Sequence, residues 1–190
     1  PMAEAVHLMA SIGSFEQLIK ADYCGARVGK YAASTVLRHL RVGRLDLSAR
    51  TVRDALLPFL HRAMCYARTA EAIVETLRPQ LVLSVDTGYS PRGELFDLCL
   101  AAGIDTITWN AAHRNNQLML KRYSRGNREV HPASLSASTW GELQAKPWTE
   151  ADRELRRLVL VGSYTSGEWY SEVGTQFHTK LEEPAEVRRT

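Results

Sequence analysis

One stretch of the chain, residues 81–114, limits the possible fold more than any other. Its sequence is LVLSVDTGYSPRGELFDLCLAAGIDTITWNAAHR. Residues 81–85 are apolar and rich in β-branched side chains, and Pro79 and Asp86 bound them, which is typical of a buried strand. The stretch therefore opens with a strand that leads directly into a polar loop.

A helix and a second strand follow in the same stretch. Ser90 and Pro91 predict a helix start, with Ser90 as the N-cap and Pro91 at the first helical position, where no N–H is needed. Gly103 predicts the helix end, and residues 104–109 are a second strand, apolar at alternate positions. Strand to strand, this is roughly the 30 residues of one βαβ unit, whose strands are parallel with a right-handed crossover.

Both polar loops of this unit, residues 86–92 and 110–114, then leave from the carboxyl ends of parallel strands. That edge is where open α/β sheets bind ligands. The sequence therefore predicts the functional site at this edge.

The first loop carries several groups suited to a ligand. Asp86 can accept hydrogen bonds from substrate hydroxyls or act as a general base, but it can equally close the loop as an Asx turn. Gly88 and Gly93 allow the backbone to approach a ligand closely. Arg92 could pair with a phosphate or could simply be solvated. Glu94 complements the positive end of the helix dipole.

The second loop brings an aromatic ring, an amide, an imidazole and a guanidinium together in Trp109, Asn110, His113 and Arg114. Proteins commonly hold sugars with such a mixture, because aromatic faces stack on the ring and planar polar groups meet the hydroxyls. His113 is a candidate general base, since histidine can serve in that role near neutral pH, although single histidines are more often structural.

The longest helical pattern runs from Arg50 to Arg78. Its apolar residues recur every three or four positions and form one buried stripe, and Pro58 either kinks the helix or starts its second half. The simplest interpretation is a helix packed on its own sheet. The alternative is a non-catalytic binding or assembly module that uses this helix as a homodimer or partner surface.

The N-terminal part is also mainly helical, with two ambiguous places. Residues 5–10 fit an edge strand, and Ser14 with Gln17 forms a capping box for a short helix. Residues 25–30, GARVGK, resemble a nucleotide P-loop, but the glycines are too closely spaced and Tyr31 replaces the Ser/Thr that would hold magnesium. We therefore predict a turn here, followed by a helix from about Tyr31.

Composition narrows the class of protein. The 190 residues are 45% hydrophobic with a net charge of +3, which indicates a globular chain and falls short of the basic patches of nucleic-acid binders. Three isolated cysteines without metal-ligand spacing predict reduced, buried side chains in a cytoplasmic protein, with no metal and no cofactor. No run of apolar residues approaches the length of a membrane span.

At this point the residues carry a family resemblance. Residues 86–94, DTGYSPRGE, and residues 109–114, WNAAHR, resemble two loops of the N-terminal domain of bacterial capsule and surface-polysaccharide glycosyltransferases. In that family an Asp-x-Gly-x-Tyr-x-Pro-x-Gly-like loop and a Trp-Asn-x-Ala-Tyr-Arg-like loop recur at similar spacing. Trp140, the Pro147–Trp148 helix start and residues 23–38 also resemble it. The chain departs from the pattern at His113, where the family has an aromatic residue, and in residues 124–131, which lack a histidine-rich pattern.

The resemblance implies one Rossmann-like half of a two-domain GT-B transferase. The expected fold is a three-layer α/β domain over residues 1–180, with a mainly parallel sheet, a helical N-terminal portion and a frayed tail at 181–190. This half would bind a carbohydrate acceptor, and a nucleotide-sugar-binding half would come from elsewhere, the chain being a fragment, a truncated product or a stand-alone relative. Asp86 or His113 would be the base, and Arg92 or Arg114 would hold charge. The expected substrate contacts are Gly88, Tyr89, Arg92, Gly93, Glu94, Trp109, Asn110 and Arg114.

Overall fold

The computed structural model describes residues 2–112 and 117–165, and it divides the chain into two compact units. Unit 1 comprises Pro1–Asn110 and Leu120–Pro132, and unit 2 comprises Ala111–Met119 and Ala133–Thr190. Each is described by itself below. The predicted tail at 181–190 lies outside the described residues.

The described residues form an α/β fold of helices and one small sheet. The helices are α1 (Met2–Ser11), α2 (Phe15–Lys20), α3 (Val28–Leu40), α4 (Arg50–Leu77), α5 (Arg92–Ala101), α6 (Ala137–Ala145) and α7 (Glu150–Thr165). The strands are β1 (Leu81–Ser84), β2 (Asp105–Ala111) and β3 (Leu118–Tyr123). The predicted helical N-terminal portion is confirmed by α1 to α4. None of the described helices has the length and apolarity that crossing a membrane would require.

The first helix corrects the prediction of an edge strand at residues 5–10. Ala5 and Met9 are both buried, and they lie one helical turn apart on the face of α1 that joins the core of unit 1. The capping box at the start of α2 is confirmed, because Ser14 Oγ accepts from the N–H of Gln17 while Gln17 Oε1 accepts from the N–H of Ser14. A helix at the start of the chain lets a short apolar segment bury one stripe without a strand partner.

Helix α3 begins at Val28, three residues before the predicted start. Gly25 has a φ of +80° and makes the predicted turn, but Gly29 lies inside the helix. A Cβ at Gly29 would approach the carbonyl oxygen of Leu18 to 1.8 Å, so this glycine allows α3 to pass directly against α2. The two glycines of the P-loop-like sequence therefore serve a turn and a close helix contact.

Helix α4 is the centre of unit 1 and runs unbroken through Pro58. Its apolar stripe is buried in the same core as residues of α1 and α3. The buried members are Leu56, Leu60, Ala63, Met64, Ala67 and Ala70. This stripe is therefore covered within the chain.

The predicted βαβ unit is confirmed in its essentials. Strands β1 and β2 pair in parallel, from Leu81 opposite Asp105 to Ser84 opposite Thr108, and α5 connects them. Gly103 follows α5 with a φ of +73°, as a C′ glycine should. The sheet has the order β1-β2-β3 and is small and mixed, where a mainly parallel sheet was predicted.

One face of this sheet packs on α5 and the other is open. Thr106 and Thr108 are buried on the packed side, and Tyr123 of β3 meets Phe96 of α5 edge to face with 5.1 Å between ring centroids. On the opposite side Leu81 and Leu83 keep 53% and 62% of their surface exposed. The prediction that residues 81–85 form a buried strand is therefore wrong within the described residues, because no described layer covers that face.

Candidate functional site

The loops that follow β1 and β2 leave the sheet at the same edge. The last paired residues are Ser84 and Thr108, so the loop from residue 85 onwards leaves β1 beside Trp109, Asn110 and Ala111, which are the last residues of β2. This is the edge predicted from the sequence, and it lies beside the N-terminus of α5. The predicted site residues from Asp86 to Glu94, together with Trp109 and Asn110, are brought to this edge.

Asp86 is half-buried and closes the first turn of the loop. Its Oδ1 accepts a hydrogen bond from the backbone N–H of Gly88 at 2.8 Å, and its carbonyl accepts one from Ser84 Oγ at 3.3 Å. The Asx turn considered as an alternative is therefore present. One oxygen of this carboxylate is engaged in holding the loop, which weakens the case for Asp86 as a free base.

The start of α5 differs from the prediction. The helix begins at Arg92 with Pro91 as its N-cap residue, and the Ser90–Pro91 peptide bond is cis. Ser90 does not cap the helix through its side chain. Its hydroxyl instead donates a short hydrogen bond to Oε1 of Glu94. Ser90 therefore links the half-buried loop to a carboxyl group on the first turn of the helix.

Glu94 is the most unusual titratable group of this site. Its side chain is fully buried, and among the described residues its Oε2 has no hydrogen-bond partner. Burial raises the pKa of Glu94 to about 7, the nearby Asp97 adds to the rise, and the hydrogen bond from Ser90 opposes it. A carboxyl group with a pKa near neutrality can exchange a proton at physiological pH, as a general base or acid must.

Two further predicted residues have structural partners. Gly93 packs directly on the ring of Tyr31, and a Cβ there would lie 2.2 Å from the nearest ring carbon. Tyr89 lies under the guanidinium of Arg38, which is 5.6 Å from the ring centroid. The loop residue Tyr89 and the α5 residue Gly93 both contact α3, so α3 holds the loop and the start of α5 in place.

A buried ion-pair network on α5 was not predicted from the sequence. Asp97 accepts from the backbone N–H of Arg27 at 3.0 Å and from its guanidinium at 2.9 and 3.1 Å, and Arg128 donates at 2.8 Å. Burial, followed by the charge of Asp97, raises the pKa of Tyr31, whose hydroxyl lies 3.4 Å from a nitrogen of Arg27. Glu129 completes the outer side of this network with Arg27 and Lys30.

A signal for this network is present in the sequence. Glu94 and Asp97 are spaced three residues apart on α5, and Leu98 and Ala101 follow at the same spacing in the segment GELFDLCLA. Residues three or four apart share one face of a helix, so the spacing places two carboxylates on an otherwise apolar stripe. Buried carboxylates require cationic partners, which points to the arginines of nearby segments.

The second loop is only partly described. Trp109 and Asn110 are half-buried at the end of β2, and alternation along the strand puts Trp109 on the open face with Ile107 and Asn110 on the face that packs on α5. Arg92 is exposed and has no ion-pair partner within the ranges 2–112 and 117–165. His113 and Arg114 lie outside the described residues. Within those same ranges no three His, Cys, Asp or Glu side chains gather as metal ligands.

Glutamine in place of Glu94 is expected to flatten the pH dependence of stability between about pH 4.5 and 7. The folded pKa is about 7 and the ordinary value is 4.5, so the folded chain retains a proton that the unfolded chain releases in this window. The wild type therefore loses stability as pH rises through the window, by on the order of 3 kcal/mol, and Glu94→Gln does not. Urea denaturation from pH 5 to 8 measures this, with the exposed Glu154→Gln as control. Equal slopes for the wild type and Glu94→Gln would contradict it.

No protein-family model, curated protein or solved structure matches this chain. The function is therefore inferred from the sequence resemblance and from the geometry of the site.

Proposed function

We propose that unit 1 is the carbohydrate-acceptor-binding domain of a surface-polysaccharide glycosyltransferase, with its site at the carboxyl edge of β1 and β2. The observation that carries the proposal is the buried carboxyl of Glu94, which has a pKa near 7, an oxygen without a described partner, and a hydrogen bond to Ser90. Glycosyl transfer requires a group that removes the proton of the acceptor hydroxyl as it attacks. Glu94 has the chemistry for that task.

The proton leaves through Ser90 in this proposal. Glu94 is fully buried, whereas Ser90 is half-buried and its hydroxyl already donates to Glu94. An acceptor hydroxyl placed against Ser90 gives its proton to Ser90 Oγ while the proton of Ser90 passes to Glu94. The proton acceptor in this proposal is Glu94. Asp86 shapes the loop through Oδ1 and offers Oδ2 to a hydroxyl of the bound sugar. His113, the other candidate base, lies outside the described residues.

The sugar ring is held by the second strand end. Trp109 offers an aromatic face for stacking and Asn110 an amide for the hydroxyls, and both are half-buried at the site edge. Arg92 is exposed at the start of α5 and is the candidate for a charged substituent on the acceptor. The helix N-terminus beside it also favours negative charge.

The open face of the sheet supports the further proposal of a Rossmann-like, three-layer domain. Leu81, Leu83 and Leu120 are each more than half exposed on or beside that face. A second layer of helices on it would bury these leucines, as parallel α/β sheets normally require on both faces. The nucleotide-sugar would then bind to a second domain that this chain or another supplies.

An oligosaccharide titration tests the binding role. The chain is labelled with 15N, and the indole N–H signal of Trp109 is identified with Trp109→Phe. A panel of neutral and uronic-acid oligosaccharides and UDP-glucose is then added separately. We expect an oligosaccharide to shift the Trp109 signal in a saturable way, and we expect UDP-glucose to leave it unchanged.

Two matched variants sharpen this titration. Asp86→Asn keeps the oxygen that holds the turn but removes the charge, and we expect it to weaken oligosaccharide binding by about tenfold, since hydrogen bonds to charged groups contribute roughly 1.5–3 kcal/mol. Asp152→Asn makes the same change in unit 2 and should have no effect. A Trp109 signal that responds to UDP-glucose and to no oligosaccharide would refute acceptor binding.

A further inference from the structure

Unit 2 carries a groove that the proposed function does not use. It lies between α6 and α7, has a volume of about 730 Å³, and is lined by residues of both helices and of the Pro147–Trp148 connection. This volume falls within the roughly 300–1,000 Å³ of small-molecule sites. We propose that the groove binds a single-chain anionic amphiphile, with its hydrocarbon chain on the apolar lining and its head group at two cations.

The lining is apolar and exposed. Trp140 and Trp148 retain 55% and 57% of their surface, and Leu143 and Leu155 almost half of theirs. Trp140, Leu143 and Gln144 lie three and four residues apart and so share one face of α6, while Leu155 and Val159 share one face of α7. Within the described residues, the two helices thus present apolar side chains to the same groove.

The charges at the groove favour an anion. Lys146 and Arg156 both line it, and within the described part of the chain neither forms an ion pair. The carboxylate of Asp152, which also lines the groove, is already held by Thr149, whose N–H and hydroxyl donate to it at 3.0 and 2.7 Å. This carboxylate also interacts electrostatically with Lys146, so the charged side chains that line the groove leave it with a net positive charge.

The other cations of α7 are engaged elsewhere. Arg153 pairs with Glu150 at 3.1 Å and Arg157 pairs with Glu154 at 2.8 Å. Among the described basic residues of α6, α7 and their connection, the two without an ion pair, Lys146 and Arg156, therefore both line the groove. A broad anionic membrane surface would be matched better by a row of unpaired cations along the whole helix. This comparison favours a single amphiphile over a bilayer.

Titration with sodium laurate, kept below its critical micelle concentration, tests the proposal. The readout is the indole signals of Trp140 and Trp148, identified with the two Trp→Phe variants. We expect saturable binding at one site per chain, and similar binding of dodecyl phosphate. Dodecyltrimethylammonium has the same hydrocarbon chain with a cationic head group. We expect it to bind at least about tenfold more weakly than laurate, because its charge is repelled by Lys146 and Arg156.

A pair of charge-matched double variants provides the control. Lys146→Glu with Arg156→Glu should abolish the preference for laurate over dodecyltrimethylammonium, whereas Arg153→Glu with Arg157→Glu changes the net charge equally and should preserve it. Circular dichroism confirms that both variants fold.

Three results would overturn the proposal. Equal affinity for the anionic and cationic amphiphiles would indicate apolar adsorption alone. Binding to phosphatidylglycerol vesicles without binding of monomeric laurate would identify a membrane surface. A dimer that Leu155→Asp dissociates, and that excludes laurate, would identify a second copy of the chain as the occupant. None of these results bears on the Trp109 site in unit 1, so the two proposals succeed or fail separately.

Discussion

Replacing Asp97 with alanine is expected to destabilise the chain by on the order of 3 kcal/mol. The carboxylate is completely buried and neutralises the guanidinium groups of Arg27 and Arg128, whose side chains are only 19% and 32% exposed. Removing one partner of a buried ion pair leaves the remaining charges without compensation, which typically costs about 3–5 kcal/mol. The partial exposure of the two arginines places the expected loss at the lower end. Urea denaturation at pH 7, followed by circular dichroism, measures it.

Asp105→Ala is the matched control for Asp97. Asp105 pairs with Arg122 at a similar distance of 3.1 Å, but both side chains are exposed. Pairs of this kind contribute at most about 1 kcal/mol. If the two variants lost the same stability, the buried network would not be the feature that holds α5 against the N-terminal helices. Asp97→Asn should fall between them, because it keeps an acceptor oxygen and loses the charge.

Gly93→Ala is the second substitution with a large expected effect, a loss of about 2–3 kcal/mol. The new methyl group would lie 2.2–2.5 Å from three ring atoms of Tyr31, and that ring is itself buried at 1% exposure. Overpacking a tight core typically costs about 1–3 kcal/mol, since neither the helix nor the ring can move freely. The same denaturation experiment measures it.

A double-mutant cycle isolates the contact between Gly93 and Tyr31. Tyr31→Ala is destabilising alone, but it removes the ring, so adding Gly93→Ala to it should cost little. Gly141→Ala in α6 is the control, because its Cβ would meet open space and alanine favours a helix by roughly 1 kcal/mol. If Gly93→Ala cost as much stability in the Tyr31→Ala background as in the wild type, the backbone around α5, and not the Tyr31 ring, would be responsible.

Gly93→Ala and Asp97→Ala also distinguish the proposed ligand-binding residues from the residues that hold them in place. Gly93 and Asp97 flank Glu94 and contact α3 and its N-cap residue Arg27. The sequence suggested that Gly93 lets a ligand approach the backbone closely. In the structure it is the ring of Tyr31 that approaches Gly93 closely. Loss of oligosaccharide binding in Gly93→Ala would therefore reflect a displaced loop, and Asp86→Asn is the better probe of direct contact.

Local patterns in the sequence predicted the elements around the site well. The apolar run before Asp86, the C′ glycine at Gly103 and the second strand each depend on a few neighbouring residues, and the parallel pairing of β1 and β2 follows from the length of the connection. The capping box at Ser14 was predicted for the same reason. All of these features depend on interactions between residues close in sequence.

The errors arose where burial in the folded chain decides the outcome. Serine is a preferred N-cap residue, but the hydroxyl of Ser90 donates a hydrogen bond to the buried carboxyl of Glu94, and the helix starts at Arg92. Residues 81–85 have the composition of a buried strand, but exposure depends on which layer covers each face, and Leu81 and Leu83 are exposed. Residues 5–10 were predicted to form an edge strand, but they are helical, and Ala5 and Met9 are buried in the same core as residues of α4.

The sequence by itself determined that a βαβ unit places polar loops at one sheet edge, because hydrophobic periodicity and turn residues act over short distances. Only the tertiary structure decided which carboxyl group has a pKa raised to near neutrality. Asp86 is engaged by Gly88, two residues away, whereas Glu94 is desolvated by the packing of α5 and Asp97 is neutralised by Arg27, 70 residues away. A pKa depends on burial and on charges in space, and neither is fixed by the neighbours of a residue along the chain.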